Sequence, residues 1–114
     1  MLPLKSYGFR IDLMGKKAFN DAIMTFKVNL VDHLIEIGLR ETRDCSVFPL
    51  IMDMLGRDDM SLTWEGLAPN DDIVMTIFYH GLKVSDHAFE QSYTDHQSSA
   101  SHRLVFSFER TETL

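Results

Sequence analysis

Cysteine is almost missing from this chain. Its 114 residues include a single one, Cys45, so no internal disulfide is possible. A lone thiol fits a reducing, cytoplasmic setting. Proline and glycine are sparse, at 3 and 6, and no linker is long enough to split the chain. Long apolar runs are lacking too. No stretch approaches the roughly 20 apolar residues of a membrane span. The opening MLPLKSYGFRIDL has no continuous apolar run of the signal-peptide kind. Positive charge is in deficit: Lys and Arg number 11 against 17 Asp and Glu, for a net charge of −6. That argues against a nucleic-acid partner, whose phosphates call for clustered Lys and Arg. Catalytic and metal signatures such as HExxH or paired CxxC are absent, as is any internal repeat.

What is present is ordinary globular material, 45% hydrophobic and 25% charged, enough for one domain over residues 1–114 with one core. Its most periodic stretch is Lys16 to Arg40. Phe19, Ile23, Phe26, Leu30, Leu34 and Ile37 recur in steps of three and four, the spacing of one helical stripe. Met24, Val28, Val31, Ile35 and Leu39 make a second stripe. Asn20 suits an N-cap and Gly38 a stop. The pattern predicts a helix over Asn20–Gly38, covered from two sides.

Around it the chain reads as short strands. Tyr7, Phe9, Ile11 and Leu13 alternate with polar residues, as do Met60, Leu62 and Trp64, and later Leu104, Phe106 and Phe108. Ile73–Tyr79 is apolar on both faces and is expected to be central, continuing through Gly81 as a bulge to Val84. Ser46–Leu55 predicts a short helix with Pro49 in its first turn and Gly56 after it. Gly66–Asp72 reads as a loop. Ser85–Ser101 is polar and weakly patterned and is expected to be irregular or partly disordered, and the RTETL tail to fray. The fold class expected is α+β: a four-stranded, mainly antiparallel sheet with one long and one short helix on one face, either ferredoxin-like βαββαβ or a helix on a meander.

Candidate site residues are few. His80, His87, His96 and His102 gather late in the chain beside Asp86, Glu90 and Asp95, and His87, His96 and His102 are the candidate metal ligands, although their spacing matches no known motif. His33 is expected at the core margin, bonded to a backbone or carboxylate group. Cys45 is expected to be a small buried thiol. Tyr7, Phe9, Phe78 and Tyr79 resemble the aromatic sheet of RNA-binding modules, but the RNP1 pattern is missing and they read as core. Trp64 is a candidate interface anchor.

These features favour a small acidic, non-catalytic module of the inhibitor, immunity or adaptor type, without a cofactor, that docks on another protein. The alternative is a small-molecule or metal-binding domain using the late histidines. Because two apolar stripes on one helix exceed what a single sheet can cover, Met24, Val28, Val31 and Ile35 are expected to form an interface, most simply in a homodimer.

Overall fold

The computed structural model describes residues 9–13, 22–41, 46–94 and 97–114. Tyr7, the start of the expected central helix, Cys45 and His96 lie outside them. Among the described residues the chain forms strands β1 (Phe9–Leu13), β2 (Ile23–Asn29) and β3 (Leu34–Glu41), helix α1 (Phe48–Met54), then β4 (Met60–Leu67), β5 (Ile73–Thr94), β6 (Gln97–Ser107) and β7 (Arg110–Thr113). The α+β expectation is therefore corrected: the described residues form an antiparallel β fold with one short helix. That helix is far too short to cross a membrane.

The largest correction falls on the central helix. Its described part is a β-hairpin, with Phe26 opposite Ile37 and Asn29 opposite Leu34. Ile35, Ile37 and Leu39 are fully buried, while Leu34, Glu36, Gly38 and Arg40 alternate with them on the other face. That is a period of two. The same apolar residues also fit steps of three and four, but Val28, Val31, Ile35 and Ile37 are β-branched and favour strands. The reversal contains no glycine, which hides it in the sequence. Asn29 makes it instead: its Oδ1 accepts hydrogen bonds from the Val31 and Asp32 N–H groups, both at 3.0 Å. His33 closes the turn with φ 55°, a left-handed conformation that His tolerates better than most residues.

β5 organises the rest. Its first half pairs with β4 and β7, its second half with β6, which continues through β3 to β2. Ile77 faces Thr113, His80 faces Arg110 and Lys83 faces Ser107, so one register runs through both β7 and β6. They act as a single long strand bent at Phe108–Glu109, where the Glu109 N–H bonds to the His80 carbonyl at 2.9 Å. Gly81, at φ +68°, makes the matching bend in β5. The bend folds the sheet over itself. Ile35, Ile37, Leu39, Leu104 and Phe106 from one half and Met60, Leu62, Tyr79 and Leu82 from the other form one core, with Val47, Ile51 and Met54 of the α1 segment packed into it.

Ser85–Ser101, expected to be irregular, is ladder on both strands where described. β3 supports β6 only as far as Ala100, opposite Glu41. Beyond that Ser92 pairs with Ser99 and Tyr93 with Ser98 in a two-stranded arm. Among the described residues no third strand covers it, and its sequence shows no apolar alternation. The molecule is 46 Å in its longest extent, with a radius of gyration of 14.9 Å against about 13 Å for a compact domain of this size. The tail does not fray: Arg110–Thr113 pairs with β5, and the Leu114 N–H reaches the Thr76 carbonyl at 3.0 Å.

Candidate functional site

Two of the three metal candidates do come together, in an arrangement unsuited to a metal. His87 on β5 and His102 on β6 have stacked rings 5.2 Å apart. His87 Nε2 lies 2.9 Å from His102 Nδ1, and His102 Nε2 lies 2.7 Å from Glu41 Oε2 at the end of β3. The ring nitrogens face each other and a carboxylate instead of converging on a common point. Among the described residues no group of three or more His, Cys, Asp or Glu side chains could hold a metal ion. His96, the third candidate, lies outside the described residues.

His102 is the one buried polar residue of the core among those described, at 1% exposure. Phe48, opening α1, meets its ring edge-on at 4.4 Å, and Phe89 of β5 tilts over it at 4.8 Å. Phe48 and Phe89 also touch edge-to-face at 4.7 Å. Glu41 in turn accepts from the Val47 N–H at 3.2 Å. The network thus ties β3, β5, β6 and the start of α1 together at the root of the arm. Burial raises the Glu41 carboxyl, but hydrogen bonds with Ser46, His102 and Val47 outweigh it and leave its pKa below the ordinary range. His87 is pushed down, by burial first and by the field of His102 second, with Asp86 opposing. Glu41 and Phe48 escaped sequence reasoning because the partners lie far apart: 61 positions separate Glu41 from His102.

Both shifts make stability depend on pH. The folded pKa of His87 is below its unfolded value of about 6.5, so as pH drops through that value the unfolded chain takes the proton first and stability falls. Glu41 is depressed as well, so its contribution is present above about pH 4.3 and is lost as pH falls through its folded pKa. Urea midpoints measured against pH should be level above neutrality, fall below about 6.5 and fall again in the carboxylate range. A midpoint unchanged from about pH 7.5 to about 5 would contradict this.

The expected interface residues separate. Val31 is 91% exposed at the β2–β3 tip and Met24 is 50% exposed on β2, whereas Ile35 is fully buried in the core. Val28 and Trp64 are partly buried and pack against the core. His33 is exposed at the β2–β3 turn, with its Nδ1 3.2 Å from the Phe108 carbonyl oxygen and its ring stacked on Phe108. Tyr79 is core, while Phe78 is only partly buried. Leu30, Met52 and Tyr93 add large exposed apolar groups. β1, β2 and β7 are edge strands among the described residues.

No protein-family model matches the sequence, and no curated protein resembles it. Solved structures do. Hcp1 from Flavobacterium johnsoniae superposes with a TM-score of 0.60 at 7% identity, over 92% of this chain and 93% of that one. A chain of the sheath–tube complex of an extracellular contractile injection system, PVC, in its extended state gives 0.67 at 12% identity, over 98% and 91%. A chain of the anti-feeding prophage baseplate, sixfold symmetrised, gives 0.67 at 11%, over 100% and 97%. At such identities the likeness shows the fold. It overturns the expectation of an inhibitor, immunity or adaptor module: this fold occurs, nearly end to end, in subunits of large assemblies.

Proposed function

We propose that this chain is a structural subunit that assembles with copies of itself into a ring or tube of the injection-apparatus kind. The observation that carries the reading is the superposition over 98–100% of this chain and 91–97% of chains taken from a sheath–tube complex and a sixfold baseplate. A subunit of that kind works by its surfaces. Among the described residues β1, β2 and β7 have a strand neighbour on one side alone, and a strand edge of that kind can pair with a neighbouring chain. Val31 at the β2–β3 tip and Met24 on β2, both exposed, are the apolar groups we assign to the contact. A contact between different patches on successive copies closes into a ring, whereas a two-fold dimer uses one patch twice.

Light scattering at tens of micromolar protein tests this, with a mass of several protomers expected. Val31→Asp should shift the mass toward the protomer, because it puts a charge where an apolar group would be buried, while far-UV circular dichroism stays unchanged since Val31 lies outside the core. A protomer mass for the unmodified chain would overturn the proposal, and a mass of two protomers would replace the ring by a dimer.

A further inference from the structure

The hydrogen bonds around His102 limit how many protons the site can hold. An ionised carboxylate only accepts, so the 2.7 Å contact to Glu41 requires a proton on His102 Nε2. The two ring nitrogens that face each other at 2.9 Å have room for one proton between them. With both rings neutral, His87 Nε2–H donates to His102 Nδ1. With one added proton the contact survives: either His102 becomes imidazolium and donates to a His87 that now carries its hydrogen on Nδ1, or His87 becomes the cation and donates as before. With two added protons, both facing nitrogens carry hydrogen and the contact cannot persist.

We propose that Glu41, His102 and His87 form a two-proton latch, which seats the first turn of α1 at neutral pH and releases it on acidification. The proposal is independent of the oligomeric reading. When the second proton enters, His87, which is partly exposed, swings out. His102 is then left with an N–H that has no acceptor, beneath Phe48 and Phe89. A buried donor without a partner is costly, and Phe48 at the start of α1 is one of the rings packed against it. Among the described residues Asp86 favours a charged His87, but burial and the field of His102 outweigh it. From β3, Glu41 already holds His102 Nε2. Asp86 on β5 is paired with Arg103 of β6 at 3.4 Å, and Arg103 also meets Glu36 at 3.6 Å. Glu90 and Arg40 are exposed and pair in register with Ser101 of β6, whose neighbours His102 and Ala100 belong to the alternate face. The α1 segment brings Ser46, the Val47 N–H and Phe48, which carry no charge, and its Asp53 is bonded to Arg57 at 3.3 Å. The depressed pKa of His87 agrees with this, since the second proton comes late.

The test follows the histidine ring nitrogens by NMR during an acid titration, together with hydrogen-exchange protection of the Ile51 and Leu55 amides, which bond to the Val47 and Ile51 carbonyls. Protection factors correct for the pH dependence of intrinsic exchange. Protection should hold through the first protonation and drop about tenfold or more with the second, which enters below the ordinary histidine value of about 6.5. His87→Gln keeps a neutral donor but cannot take the second proton, so it should abolish the drop. Unchanged α1 protection in the native chain while both histidines become charged would overturn the latch, whether or not the variant folds. The same drop at the same pH in a folded His87→Gln would overturn it as well.

Discussion

Replacing His102 by Ala is expected to lower stability by about 3 kcal/mol, the upper end for leaving a buried polar partner unsatisfied. The His102 ring is enclosed by Phe48, Phe89 and His87, and its removal opens a cavity between α1 and the sheet. It also takes away the 2.7 Å partner of Glu41, whose side chain is 13% exposed and left to the Ser46 and Val47 contacts. Glu41→Gln in the same background should recover part of the loss, because a neutral amide is less costly to leave unpaired than a carboxylate. Urea denaturation at neutral pH measures both. A loss for His102→Ala below about 1 kcal/mol would mean that water already reaches this network.

Gly81→Val should cost about as much for a different reason. The bend that folds the sheet over places Gly81 at φ +68°, where an L side chain costs about 1–2 kcal/mol and a β-branched one is a strong outlier. A Cβ there would also stand 2.6 Å from Glu109 Cγ and 2.7 Å from Cδ. Overpacking of that sort adds roughly 1–3 kcal/mol. Combining Gly81→Val with Glu109→Ala, which removes both atoms, separates the parts: the remaining loss should be the backbone share of about 1–2 kcal/mol. A fully additive cycle would show that Glu109 moves aside freely. A Gly81→Val chain as stable as the parent would mean that the two halves of β5 are not held by this bend.

How much of this was legible beforehand depended on whether the deciding contact was local. α1 announced itself through Pro49 and Gly56, and β4 through the alternation of Met60, Leu62 and Trp64, because each signal is confined to a few neighbouring residues. The bend at Gly81 was legible as a bulge in an otherwise apolar strand. The β2–β3 hairpin was not. Its apolar residues satisfy two periods at once, and the turn that decides between them is made by side-chain hydrogen bonds of Asn29 instead of a glycine. The outer part of β5 and β6 was hidden for another reason: among the described residues no third strand lies against this arm, and its exposed residues carry no mark of burial in the sequence. The Glu41–His102–His87 network depends on register between strands far apart in the chain, which the spacing of residues along it cannot reveal.

The central claim is that this fold works as one copy among many. Electron microscopy of the purified chain tests it most directly. The account predicts closed rings of several copies, alone or stacked into tubes, with rotational symmetry in class averages and β2 lying at the contact between neighbours. A uniform population of single 13.1 kDa protomers, unchanged at the highest soluble concentration, would contradict it.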